Sequence, residues 1–124
     1  MNLGKTGLKG EASAARFLKS KGYRIISRNY QTRYGELDIV CRNDSYIVFA
    51  EVKTRSENYI VSGVDAVNLA KQKRIVKAAL QFLQENSYDL QPRFDVLEIV
   101  IVGDGETVTH IENAFSATDY HGFY

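Results

Sequence analysis

Residues 93–102 (RFDVLEIVIV) restrict the fold more than any other stretch of this sequence, because they form a nearly continuous apolar run rich in β-branched residues. The run is far short of the ~20 apolar residues that cross a membrane. A half-exposed strand alternates apolar with polar side chains, so a run without alternation reads as a strand covered on both faces. Such a strand needs layers above and below its sheet. Residues 7–21 (GLKGEASAARFLKSK) read as a helix stopped by Gly22. A second long helix, capped by Asp65 or Asn68, reaches about Glu85. Further strands are expected at Tyr23–Arg33, Glu36–Arg42, Tyr46–Lys53 and Glu106–Glu112, the last after the Gly103-Asp104-Gly105 turn. Thr54–Gly63 reads as a polar loop, and the last dozen residues as a loosely ordered tail. The order α-β-β-β-α-β-β predicts an α/β fold, one mixed β-sheet flanked by helices in three layers. The alternative is an α+β arrangement with both helices on one face.

A chain of 124 residues suits one domain, with a core over about 7–112, and buries enough surface to need no staples. The single cysteine, Cys41, excludes an internal disulfide, and with only His110 and His121 beside it a thiolate zinc site is excluded too. The opening MNLGKTGLKGE has no apolar run, so a cytoplasmic chain without a membrane partner is expected. The net charge of +1 conceals a gradient. Eight basic residues against Glu11 alone give residues 1–34 a charge of +7, residues 35–77 carry +1, and eight acids against Arg93 give residues 78–124 a charge of −7. A cationic half of this kind suits a phosphate backbone, although solvated faces that differ in sign give the same pattern.

The chemistry concentrates on two strands. In Tyr46–Lys53, side-chain alternation places Glu51 and Lys53 on one face with Ile47 and Phe49. In Glu36–Arg42, Glu36, Asp38 and Val40 share one face, and Leu37, Ile39 and Cys41 the other. A two-residue turn at Asn43-Asp44 sets Asp38 diagonal to Glu51, and a four-residue loop, Asn43–Tyr46, sets the two acids directly opposite. Either register keeps Asp38, Glu51 and Lys53 on one face, whereas a three-residue loop inverts one strand. Opposed Cβ atoms lie about 4.5–5.5 Å apart. Carboxylates that close repel, and a divalent cation removes the conflict. Oxygen donors select Mg²⁺ or Mn²⁺ over zinc, with the backbone carbonyl of Val52 as a further ligand.

The helices add to this. Glu11 falls on one stripe with Ala14, Ala15 and Leu18, either to meet a cation or to stabilise the helix start by about 0.3–1 kcal/mol. Gln72 shares a stripe with Val76, Ala79 and Leu83 and continues the buried face towards the acids. Lys71, Lys73, Arg74 and Lys77 make that helix start basic.

Gly10-Glu11 with Ala14, Gly22-Tyr23, Arg28-Asn29-Tyr30, Tyr34-Gly35-Glu36-Leu37-Asp38-Ile39, Phe49-Ala50-Glu51-Val52-Lys53-Thr54-Arg55 and the Lys71-Gln72 helix start together resemble the YraN-type uncharacterised family. That family is similar to Holliday-junction resolvases, within the PD-(D/E)xK or restriction-endonuclease-like nucleases. The resemblance runs from about residue 7 to residue 102, with Leu37 where many such nucleases have proline. It implies a restriction-endonuclease-like fold and a metal-dependent phosphodiesterase site. Asp38 takes the place of the first motif aspartate, Glu51 and Lys53 that of the E-x-K pair, Glu11 that of the helical glutamate and Gln72 that of a helical glutamine. The expectation is therefore an Mg²⁺- or Mn²⁺-dependent endonuclease acting on nucleic acid, DNA before RNA and branched DNA among its substrates. A junction cutter needs two sites and hence a homodimer. Lys9, Arg28, Arg33, Arg55, Lys71, Lys73 and Arg74 are its expected backbone contacts, and Tyr30, Tyr34 and Tyr59 candidates for stacking on bases. The rival expectations are a non-catalytic nucleic-acid-binding domain on a nuclease scaffold and a small Mg²⁺-binding interaction subunit.

Overall fold

The structure, a computed structural model, describes residues 5–56 and 67–117, with the side chains of 5–8 left aside. The elements run α1 (Lys5–Ser20), β1 (Arg24–Thr32), β2 (Gly35–Arg42), β3 (Tyr46–Ser56), α2 (Leu69–Glu85), β4 (Gln91–Val102) and β5 (Gly105–Phe115). The five strands form one mixed sheet in the order β1-β2-β3-β4-β5. All neighbours pair antiparallel except β3 and β4, which are parallel. A parallel pair needs a crossover, and α2 supplies it.

Strand alternation sorts the core into two layers. Val40, Ile47, Phe49, Phe94 and Val96 pack with Val76, Ala79 and Phe82 of α2. Ile39, Cys41, Val48, Ala50, Leu97 and Ile99 pack with Ala14, Ala15 and Leu18 of α1. The sheet thus carries a helix on each face, and β4 is apolar throughout most of its length because both of its faces are covered. The Phe82 ring joins the layers of its side, edge-on to Tyr30 at 4.9 Å and to Phe49 at 5.8 Å. Burying an aromatic ring this way contributes several kcal/mol, and truncation to alanine costs about 3–5 kcal/mol.

Several boundaries differ from the sequence expectation. β3 continues through Thr54–Ser56, expected as loop, because it stays paired with β4 as far as Ser56–Ile101. β5 continues to Phe115, whose buried ring stacks on Phe94 at 5.2 Å, so the core reaches beyond residue 112. Asn68, rather than Asp65, is seen to cap α2: its Oδ1 accepts the Lys71 N–H at 2.9 Å. Asp65 and Tyr59 lie outside the described residues.

Leu37 is a correction of another kind. It packs on the α2 side, not with Ile39 and Cys41. Its partner on β1 is Tyr30, whereas Ile39 pairs with Arg28. Between those pairs stands Asn29 at φ 54°, a left-handed conformation that interrupts the ordinary alternation of β1. The ladder therefore turns over at Asn29 and Asp38, and Asp38 comes within reach of side chains from both faces.

Candidate metal centre and nucleic-acid interface

The β2–β3 register is the four-residue one, with Arg42 opposite Ile47 and Ile39 opposite Ala50. Asn43 fixes it, since its Oδ1 accepts the N–H of Ser45 at 2.9 Å and of Tyr46 at 2.8 Å. Continuing that register by one residue sets Asp38 against Glu51. Asp38 Oδ2 accepts the Val52 N–H at 2.9 Å, so Val52 reaches the site through its backbone.

Two acidic groupings share Asp38. On the α1 side, carboxylate oxygens of Glu11, Glu36 and Asp38 lie within 4.8 Å of one another. With its amide nitrogen turned towards them, Asn29 donates to Glu11 at 2.8 Å and to Glu36 at 3.1 Å. Glu11 gets there because α1 crosses β3 at Gly10, where a Cβ would stand 1.9 Å from Thr54 Oγ1; only glycine allows that approach. On the α2 side, Asp38 and Glu51 share a hydrogen bond. Lys71 Nζ lies 2.9 Å from Glu51 Oε2. This contact is an ion pair rather than a well-directed hydrogen bond, so the buried Oε2 keeps unused acceptor capacity.

Burial, then Glu51 as hydrogen-bond partner and neighbouring charge, pushes Asp38 up to about 9. Burial alone would also raise Glu51, but the hydrogen bond from Asp38 and the Lys71 ammonium outweigh it and hold Glu51 below the usual carboxylate range. Of this pair, Asp38 keeps the proton at neutral pH and Glu51 carries the charge. Glu11 is raised by burial and by Glu36. Lys53 is lowered by burial and by Lys71 beside it, while the pairing with Glu51 outweighs burial and raises Lys71. The residues fit a hard dication on their own chemistry: the donors are all oxygen, Asp38 holds a proton a cation would displace, and Glu51 Oε2 is buried without a directed donor.

The structure thus brings Glu11, Asp38, Val52, Glu51 and Lys53 to one place, and adds Glu36, Asn29 and Lys71. Glu36 had a signal in its shared face with Asp38. Lys71, expected as a phosphate contact, lines the cleft and forms an ion pair with Glu51. Gln72 Nε2 donates to the Val67 carbonyl at 3.0 Å, at the start of α2. Arg55 is a correction: it lies 3.7 Å from Glu98 with its side chain only 12% exposed, turned into the β3–β4 ladder rather than outward. Lys9, Arg28, Arg33, Lys73 and Arg74 are exposed. Tyr30 is also a correction, because its ring is packed on Phe82 and its hydroxyl donates to Glu85. Tyr34, at the β1–β2 turn, is 38% exposed and lies beside Arg33 and Lys77 at 5.5 and 5.6 Å. Tyr34, Glu36, Asp38, Glu51, Lys71 and Arg74 line one cleft of about 130 Å³.

A second polar cluster sits under β4 and β5. Asp95 is fully buried and accepts from Arg93 (2.9 and 2.7 Å) and from the Asn113 N–H (3.0 Å). His110 Nε2 lies 2.7 Å from it, and Arg93 donates to the Tyr23 hydroxyl and pairs with Glu112 at 3.2 Å. The groups satisfy one another, as a buried charged network must. Asn113, at φ 53°, lies where the β4–β5 register shifts between Phe94 and Val96.

The family model described as "Uncharacterised protein family UPF0102" matches residues 10–99. Similar proteins include a UPF0102 protein of Syntrophomonas wolfei subsp. wolfei, 44% identical over 110 residues, with 88% of this chain and 96% of the relative covered. One of Alkaliphilus oremlandii is 43% identical over 114 residues, covering 90% of this chain and 97% of the relative. One of Pelobacter propionicus is 45% identical over 114 residues, covering 89% and 81%.

Proposed function

We propose that this chain, which belongs to the UPF0102 family, is a restriction-endonuclease-like, metal-dependent endonuclease that hydrolyses phosphodiester bonds in nucleic acid. The observation that carries the reading is the convergence of Asp38 and Glu51 in a cleft that Lys71 and Arg74 also line, with Glu11 beside Asp38 and Lys53 beside Glu51. The YraN-type resemblance assigns the same residues to the same roles, and the helix on each face of a mixed sheet is consistent with it.

Asp38 and Glu51 are the residues that would hold Mg²⁺ or Mn²⁺, with Glu11 and Glu36 on the opposite side of Asp38 and the Val52 backbone between. Bound there, the ion would act as a Lewis acid on the phosphate and lower the pKa of a water. Asp38 would have to give up its proton to hold the ion, whereas Glu51 is already ionised. Lys53, held below the ordinary lysine range, orients the attacking water or meets the charge that develops on phosphorus. Arg74, Lys73, Lys9 and Arg28 attract the backbone without reading bases. DNA is the first substrate to try, branched forms included, and a junction cutter would work as a homodimer.

The test is a cleavage assay over duplex, single-stranded, branched and RNA substrates, with and without Mn²⁺, using wild type and Glu51→Ala. The reading expects Mn²⁺-dependent cuts that Glu51→Ala abolishes. Binding without turnover on every substrate would replace the nuclease by a nucleic-acid-binding domain. Metal binding with neither would leave the small Mg²⁺-binding subunit.

A further inference from the structure

Lys71 occupies a position that the nuclease reading does not use. Its ammonium is 2.9 Å from Glu51, whose side chain is 4% exposed, while its own side chain is 37% exposed. An ammonium has no lone pair and cannot itself ligate a metal ion, and 2.9 Å from the carboxylate that would hold a dication it is strongly repelled by that ion. The backbone of Lys71 is pinned by the Asn68 cap, so only its flexible stem can answer that repulsion. The cleft offers the stem somewhere to go. Lys71 and Arg74, one helical turn apart, line it opposite Tyr34 and Gly35 of the β1–β2 turn.

We propose that Lys71 is an exchangeable counter-cation: it neutralises Glu51 while the site is metal-free and, displaced by the metal, turns into the cleft to hold a substrate phosphate together with Arg74. The inference rests on the metal-dependent reading above and assigns its phosphate subsite. It couples the two binding events, since the ion that loads the carboxylates also releases a cation for the phosphate.

The experiment titrates the full chain with Mn²⁺ alone by calorimetry, comparing wild type with Lys71→Met and the charge-keeping Lys71→Arg. Removing a like charge this close should tighten Mn²⁺ binding by about tenfold in Lys71→Met, with Lys71→Arg near wild type. A labelled oligonucleotide is then titrated with and without Ca²⁺, an oxygen-seeking dication used under conditions where the oligonucleotide is verified to stay uncut. Lys71→Met should match wild type without the ion and fall about tenfold behind it when the ion is present. Unchanged or weaker Mn²⁺ binding by Lys71→Met, in a wild type that binds Mn²⁺ and cuts, overturns this proposal alone. Equal losses of oligonucleotide affinity with and without Ca²⁺ also overturn it, because Lys71 would then be a fixed phosphate contact. A wild type that binds no Mn²⁺ overturns this proposal and the reading beneath it.

Discussion

Replacing Asp38 by asparagine should stabilise the metal-free protein, and the size of the gain should depend on pH. In the folded chain Asp38 is pushed up to about 9 by burial and by Glu51. In the unfolded chain it titrates near 3.9. The sign follows: from about pH 4 to pH 9 the folded state holds one proton more than the unfolded state, so stability is lost as pH rises. One proton corresponds to about 1.4 kcal/mol per pH unit, so this group removes about 3 kcal/mol between pH 5 and pH 7. Glu51 is shifted the opposite way, and its contribution falls below its ordinary value of 4.5, outside that window. The asparagine amide still accepts from the Val52 N–H and donates to Glu51, as protonated Asp38 does, so the swap keeps both hydrogen bonds. Urea unfolding in a chelator at pH 5, 6 and 7 provides the measurement. Wild type should weaken with pH more steeply than Asp38→Asn, by about one proton's worth, the slope left in the variant coming from Glu11, which is raised in both; at pH 7 the variant should lead by up to about 4 kcal/mol. Equal pH slopes, or a variant less stable than wild type at pH 7, would refute the reasoning.

Gly10→Ala should destabilise by about 1–3 kcal/mol, read by urea unfolding, because the new Cβ meets Thr54; by moving Glu11 it should also weaken Mn²⁺ binding. Asp95→Ala should cost about 3 kcal/mol or more by leaving Arg93 buried without its main partner, with Mn²⁺ affinity unchanged in calorimetry. Arg74→Ala should weaken oligonucleotide binding and lower its salt slope by about one, whereas Arg55→Gln should leave the slope alone, since Arg55 faces Glu98.

The parts of the fold that depend on local pattern were legible in the sequence. The stripe of Glu11, Ala14, Ala15 and Leu18 is buried as its spacing requires, and the apolar run of β4 is covered on both faces as far as Ile99, though its last residue, Val102, is exposed. Asp38 and Glu51 share a site because a period of two leaves little freedom once the loop length is even. What was illegible depends on placement in space. Four basic residues begin α2, and only the rotation of that helix against the sheet decides that Lys71 turns to Glu51 while Arg74 stays outward. Arg55 looked like a free cation because its partner, Glu98, lies on a strand more than forty residues away. The Leu37 inversion needs the left-handed Asn29 on the neighbouring strand, which no alternation within β2 reveals. Arg93 and Asp95 are two charges spaced i, i+2 in an apolar strand; that pattern signals a buried pair, but His110 and Asn113 enter only through the β4–β5 register.

The account stands on one pocket that binds a hard dication in exchange for a proton. Calorimetric titration of the full chain with Mn²⁺ at pH 7, repeated in buffers of different ionisation enthalpy, measures both at once. The account predicts saturable binding with release of about one proton per ion, both lost in Asp38→Asn. Binding that survives in Asp38→Asn with no proton released, or no saturable heat in wild type, would contradict it.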